Sequence, residues 1–239
     1  MQNFYMFHFK KFSLDDSKAA MKIGTDAVLL GAWAPCEHET RILDIGTGSG
    51  ILALMMAQQN TGIPIDAVEL ESEAAAIARA NVEMSPWAGQ INVFNTTIQQ
   101  FCSEAMHQYS LVICNPPFFT GSLKAPDKAR TLARHNDSLP VEDLLECVSK
   151  ILEKNGKAAF IIPADAFCYW QNEAAKHILF PSLITYLKSS PDQKPHRVLV
   201  VFTRIDSPDI PMTELSIYQG KSVYTQEYKD LTKNYYLHF

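Results

Sequence analysis

Residues 41–59 read "RILDIGTGSGILALMMAQQ", and this stretch narrows the possible folds more than any other. A short apolar run, Ile42 to Ile45, enters a turn with glycine at alternate positions, Gly46, Gly48 and Gly50, and leaves it as an apolar helix. Glycine tolerates the left-handed backbone a tight strand-to-helix turn needs, and it leaves no side chain in the way of an approaching ligand. The pattern predicts a parallel βα unit with a nucleotide-like ligand over the turn. Spacing excludes two candidates: a dinucleotide fingerprint needs a third glycine where Ile51 stands, and a phosphate loop needs a lysine that is absent. Asp44, just ahead of the turn, would repel a phosphate and accept from an ammonium or hydroxyl. The ligand is therefore expected to carry a positive group.

The same alternation continues down the chain. "IPIDAVELE" predicts a strand ending at Glu69, about twenty residues past the turn, where a doubly wound fold places the carboxylate that holds ribose hydroxyls. "SEAAAIARANVEM" predicts the helix after it, with Ala74, Ile77 and Ala78 inward, and "INVFNTTIQQF" supplies a third strand. Further segments complete the order: helix 142–153, strand 157–162, helix 165–179, and strands 182–188 and 197–204. The expected class is α/β, a doubly wound, mostly parallel seven-stranded sheet, with a C-terminal tail, 213–239, that carries the short strand "LSIY" and packs back. Ahead of it, residues 4–12 read as a strand or hairpin that turns at Asp15 and Asp16, a cover outside the core. "MKIGTDAVLLGAWA" reads as a helix capped by Thr25 or Asp26 and stopped by Pro35. Residues 1–35 are thus expected as an N-terminal cover with its helix, and 36–239 as the main domain.

A second anchor closes the apolar strand "YSLVIC": Asn115, Pro116, Pro117 and Phe118. Prolines have no N–H for the ladder, and each holds its predecessor extended, so the strand ends in a turn rich in acceptors. The Asn115 side-chain oxygen and the Pro116 carbonyl can accept both hydrogens of a planar amino group, while Phe118 offers a ring face to whatever carries it. In a doubly wound sheet this turn and the glycine turn lie at carboxyl ends of strands and share one cleft.

Composition sets the outer bounds. The chain has 239 residues, 47% of them hydrophobic, enough for one sizeable core. Its five cysteines are scattered with no Cys-x-x-Cys pair, which signals neither a disulfide framework nor a metal site and suits a reducing, cytoplasmic setting. No stretch is long and apolar enough to span a membrane. A net charge of −5 leaves nucleic acid to local basic clusters. Lys10 and Lys11 in the first strand, and Lys124, Lys128, Arg130 and Arg134 after the double proline, are the candidates.

Together "DIGTGSG", Glu69 and "NPPF" resemble the class I S-adenosylmethionine-dependent methyltransferases that act on amino groups. "MKIGTDAVLLGAWA", "AVELESEAAA", "PHRVLVVF" and "LTKNYYL" narrow the resemblance to the bacterial valine-tRNA adenosine N6-methyltransferase family, over nearly the whole chain. The resemblance implies S-adenosyl-L-methionine as cofactor, an anticodon stem-loop of tRNA as partner, no metal, and a monomer. It places Asp44 and Gly46, Gly48 and Gly50 at the methionine side of the cofactor, Glu69 at its ribose, and Thr25 and Asp26 near its sulfonium. Asn115, Pro116, Pro117 and Phe118 fall at the target base, with Asn115 also beside the cofactor. One position departs. Thr97 stands where related enzymes carry an Asp at the cofactor adenine, and a neutral acceptor is weaker there by about 1 kcal/mol.

Two other readings compete. The same amine site suits a protein glutamine amide or a guanine amine of ribosomal RNA; the whole cleft also suits a nucleotide- or RNA-binding module with no catalysis.

Overall fold

The computed structural model describes residues 6–16, 23–116 and 139–239. The apolar runs picked out above assemble into one eight-stranded sheet. Its strands are β3 (Ile42–Ile45), β4 (Ile65–Glu69), β5 (Ile91–Asn95), β6 (Tyr109–Cys114), β7 (Leu152–Pro163), β8 (Phe180–Lys188), β9 (Arg197–Thr203) and β10 (Met212–Ser216), in the spatial order β10-β8-β9-β7-β6-β3-β4-β5. The pairings from β7 through β6, β3 and β4 to β5 are parallel, and β9 runs antiparallel between β7 and β8. The expected seven strands are present. The eighth, β10, comes from the tail, whose strand was expected apart from the sheet; instead it pairs in parallel with β8.

Three of the strands, β3, β4 and β6, are buried at every residue because helices cover both faces. One face packs on α1 (Thr25–Trp33), α2 (Ile51–Gln59) and the C-terminal helix; the other packs on α4 (Ile98–Glu104), α5 (Val141–Ile151) and α6 (Phe167–Lys176), with α3 (Ser72–Glu83) beyond β4. Ile42, Leu111, Ile113 and Leu199 point to the first face, and their neighbours Leu43, Val112 and Val200 to the second. α2 is buried from Ile51 through Ala57. It has no solvent stripe there, since α1 lies on one side of it and Gln58 donates to the Asn234 carbonyl of the tail.

The first residues form a hairpin, β1 (Met6–His8) with β2 (Ser13–Asp15). Its turn lies at Phe9 to Phe12, earlier than the acidic pair suggested, and Asp15 is a strand residue. Nor is the hairpin a mere cover: Phe9, Phe12 and Leu14 are buried in the main core. Asn81 of α3 binds both backbone groups of Asp15 and the Ser49 carbonyl, fastening hairpin, helix and glycine turn together. The tail then closes over the hairpin through a small pair, β11 (Tyr218–Gly220) and β12 (Val223–Tyr224), and α7 (Gln226–Thr232). Tyr224, Tyr228, Tyr236 and Phe239 make a ring cluster that reaches Phe7 and Phe9.

Candidate active site

The register of the sheet lines up the expected site residues. Ile45 of β3 sits opposite both Val68 of β4 and Cys114 of β6. One residue further, Asn115, Gly46 and Glu69 stand in a row across three adjacent strand ends, and Glu69 pairs in turn with Asn95 of β5. At a strand spacing of ~4.8 Å these three residues span roughly 10 Å, and roughly 14 Å once Asn95 is included. Side-chain alternation sets the direction. Asp44 shares the parity of Ile42, Glu69 that of Ala67 and Asn115 that of Ile113, all residues of the α1–α2 face. Asp44, Glu69 and Asn115 therefore share one face at the carboxyl edge of the sheet.

The glycine turn is held open by carboxylates. Asp44 is fully buried, and its Oδ2 accepts from the Thr47 hydroxyl at 2.5 Å and the Ala53 N–H at 3.1 Å. Its Oδ1 is buried with no hydrogen-bond partner among the described residues. Burial pushes its pKa up to about 7, against the pull of the Thr47 and Ala53 bonds, and the neighbouring Glu69 charge adds to the rise. Asp44 is thus first a brace for the turn, which the sequence alone did not suggest, and only its second oxygen faces other work. Glu69 accepts from the Gly48 N–H at 2.8 Å and the Glu71 N–H at 2.9 Å, one on each oxygen. Each oxygen retains a lone pair for a hydroxyl. Gly46 and Gly48 have φ of 70° and 56°, and a Cβ built at either would meet nothing within 4 Å. The space over the turn is open to a ligand, and the residues fit an adenosyl compound whose cation lies near Asp44 and whose ribose lies near Glu69.

At the β5 end, Thr97 is the N-cap of α4 and accepts from the Gln100 N–H at 3.1 Å. That accounts for a threonine here: it keeps the capping oxygen an aspartate would supply. Thr96 and Thr97 also border a recess of about 890 Å³ with Leu70, Asn95 and Phe101, which runs down the sheet edge to Arg41 and Tyr109. Asn115 and Glu69 do not line it, so it flanks the row instead of holding its centre.

At the other end, Asn115 Oδ1 is buried and has no hydrogen-bond partner among the described residues. Beneath it the Cys114 thiol is pushed well above its usual pKa by burial and by the Asp44 and Glu69 charges, so it stays protonated. Pro117 and Phe118 lie outside the described residues, as do Lys124, Lys128, Arg130 and Arg134. Asp26 does not cap α1, whose N-cap is Gly24 with no side-chain bond, and neither does Thr25. Asp26 accepts instead from Arg197 Nε at 2.8 Å. Arg197 has the parity of Leu199, so this pair fixes the start of α1 to the face Asn115 occupies, two strands away. Sequence reading missed Arg197; its place in "PHRVLVVF", at the start of a buried strand, was the available signal. Lys10 is exposed, and its ammonium donates to the Lys233 and Phe239 carbonyls at 2.6 and 2.8 Å, which ties the hairpin to the tail. Lys11 is exposed.

A mostly parallel sheet flanked by helices, with a glycine turn and a buried acid on adjacent strands, is the architecture of the methyltransferase class. Residues 17–162 match the methyltransferase small domain family. A predicted O-methyltransferase from Agrobacterium tumefaciens superposes with a TM-score of 0.66 at 19% identity, over 88% of this chain and 96% of that one. A putative class I S-adenosylmethionine-dependent methyltransferase from Listeria monocytogenes superposes at 0.58 with 15% identity, over 86% and 68%. At those identities both speak for the fold. The chain itself belongs to the tRNA1(Val) (adenine(37)-N6)-methyltransferase family. The member from Flavobacterium johnsoniae is 41% identical over 97% of this chain and 99% of its own length, and that from Bacteroides fragilis strain YCH46 is 41% identical over 97% of each.

Proposed function

We propose that this protein transfers a methyl group from S-adenosyl-L-methionine to N6 of an adenosine in tRNA, adenosine 37 of valine tRNA. The observation that carries the reading is the buried Asn115 Oδ1, without a partner among the described residues and level with Gly46 and Glu69, in a chain of this family. An unpaired buried acceptor costs about 1–3 kcal/mol, and an amine donor in the cleft recovers it.

The bound cofactor supplies an electrophilic methyl on a sulfonium. The residues of the chain do the rest. Asn115 Oδ1 and the Pro116 carbonyl accept the two N–H bonds of the target amine, push electron density back onto its nitrogen, and favour the pyramidal geometry needed for attack. Phe118 stacks on the base. Asp44 Oδ1 and the glycine turn would hold the amino acid end of the cofactor, Glu69 its ribose and Thr97 its adenine; positioning of this kind can supply roughly 7–11 kcal/mol. No side chain must take a proton before transfer, because the methylated nitrogen sheds one afterwards. Lys11, Lys124, Lys128, Arg130 and Arg134 are the proposed phosphate contacts, in a protein of net charge −5. An anticodon loop suits the site because its bases unstack at low cost.

Nucleoside mass spectrometry of tRNA from a deletion strain tests this. Incubation with the protein and S-adenosylmethionine should raise N6-methyladenosine in valine tRNA. Methyl incorporation into ribosomal guanine or a protein glutamine, with tRNA unchanged, would assign the amine site to another acceptor.

A further inference from the structure

Along the carboxyl edge of the sheet, Asn115 divides the site in two. Gly46, Glu69 and Thr97, the proposed cofactor residues, lie at the ends of β3, β4 and β5 on one side of it. On the other side come β7 and then β9, and there Arg197 stands. Cys114 is opposite Phe160 of β7, so Asn115 is level with Ile161, and Ile161 with Leu199 of β9. Arg197 lies two residues beyond Leu199 toward the same edge, opposite Pro163, with its side chain on the same face. At ~4.8 Å per strand and ~3.3 Å per residue, its Cα is roughly 10 Å across from Asn115 and about 7 Å above it. Helix α1 lies against β7, the strand between them.

The contact that joins α1 to β9 holds one carboxylate still. Arg197 donates from Nε to Asp26 Oδ2 at 2.8 Å and from Nη1 to the His196 carbonyl at 3.1 Å, which sets the plane of the guanidinium. Asp26 Oδ1 has no hydrogen-bond partner among the described residues. The Asp26 side chain is 26% exposed and that of Arg197 28%, so the carboxylate is open to a ligand in the cleft. A pair with this exposure adds little to stability.

We propose that Asp26 reads the ribose of the target nucleotide, with Arg197 as its positioning residue, and so selects RNA over DNA. The inference rests on the proposed function, which brings the adenosine in over β7 and β9 because the cofactor occupies the other half of the site. An adenosine inside a chain offers hydrogen-bond donors from two groups, the N6 amine and the 2′-OH, since its 3′ and 5′ oxygens are esterified. Asn115 and Pro116 take the amine. A carboxylate accepts and does not donate, and it repels the flanking phosphates, so the donor left for Asp26 Oδ1 is the 2′-OH.

The experiment gives the purified full chain S-adenosylmethionine and two synthetic anticodon stem-loops of valine tRNA that differ by one oxygen, with adenosine or 2′-deoxyadenosine at the target position. Wild type should methylate the ribose form with kcat/KM about tenfold or more above the deoxy form, the scale of one hydrogen bond to a charged group. In Asp26→Ala that ratio should fall to about two or less. Arg197→Ala should lower it as well, and Arg197→Lys should recover part of it, since lysine restores the charge without the fork. Calorimetry with S-adenosylmethionine tests the competing place for Asp26, beside the sulfonium, and shows that each variant is folded; affinity should stay within about threefold of wild type. Equal rates on the two loops in wild type, or an undiminished ratio in Asp26→Ala, would overturn the assignment. So would a loss of cofactor affinity that matches the loss of activity, which would return Asp26 to the cofactor. No methylation of the ribose loop would overturn the proposed function and this role with it, whereas methylation indifferent to the 2′-OH overturns this role alone.

Discussion

The two ends of the row across the strands are finished to different degrees. At the glycine turn, most of the polar groups are already paired within the chain: Asp44 Oδ2 with Thr47 and Ala53, and both Glu69 oxygens with backbone N–H groups. At Asn115, the acceptor is buried and unpaired among the described residues. A binding surface benefits from rigidity before its ligand arrives, so it is braced in advance. An acceptor that works on a reacting amine must be left for that amine, so the fold carries its desolvation cost until substrate comes. Binding and chemistry should therefore be separable by mutation.

The largest effect should come from the unpaired end. Asn115→Ala is expected to lower kcat roughly 100-fold to 1,000-fold, on the scale of removing one transition-state hydrogen-bonding group. S-adenosylhomocysteine affinity, read by calorimetry, should stay within a factor of about three. Wild-type turnover in this variant would mean that the double-proline turn only ends a strand.

The reverse separation is expected at the braced end. Gly48→Ala puts a Cβ into the open space over the turn at φ 56°, and left-handed backbone costs a non-glycine residue roughly 1–2 kcal/mol. Affinity for S-adenosylhomocysteine should fall about tenfold or more, while saturating cofactor restores much of kcat. A loss of kcat at saturating cofactor with affinity intact would erase the distinction between the ends.

Asp44 sharpens the comparison through pH. Its folded pKa is raised from 3.8 to about 7, so its protonated form is the one the fold favours. The stability it contributes is complete below 3.8 and is lost as pH rises through about 7. A cation beside Oδ1 favours the ionised form, so cofactor binding should tighten as pH rises through the same range and release a proton below it. Calorimetry in buffers of different ionisation enthalpy reads that proton directly. Asp44→Asn should flatten the pH dependence of thermal stability in this window; an unchanged profile would place the titration elsewhere.

The smallest effect concerns Thr97. Thr97→Ala removes the α4 cap and should cost about 1 kcal/mol of stability. Thr97→Asp keeps the cap and supplies a charged acceptor, so cofactor affinity should rise severalfold, toward the stronger bond available to an ionised group, about 1 kcal/mol. Equal affinity in Asp and Thr forms would show that the adenine is held by backbone groups instead.

What the sequence revealed follows from how local each constraint is. Gly46 and Gly48 announce a left-handed turn because few other residues sit there, and Asn115-Pro116 announces a strand end because proline cannot continue a ladder. The row of Asn115, Gly46 and Glu69 then follows once the strand order is known. The hidden parts join residues far apart. Asp26 meets Arg197 and Lys10 meets Lys233 across separations of 171 and 223 residues, and no periodicity marks such pairs. The Asp44 brace was hidden differently: an acid before a glycine turn reads the same whether it faces the ligand or the turn's own N–H groups.

The tie between Lys10 and the tail has a consequence for synthesis. Asn81 and Trp87 can receive the hairpin early, but the ring cluster around Phe7 and Phe9 and the carbonyls that hold Lys10 are translated some 223 residues later. At about 5–20 residues per second that is a wait of roughly 10–45 s, with aromatic surface uncovered on the ribosome. The tail is in effect a late-arriving lid on a nascent chain, and until it docks the hairpin is among its stickiest parts.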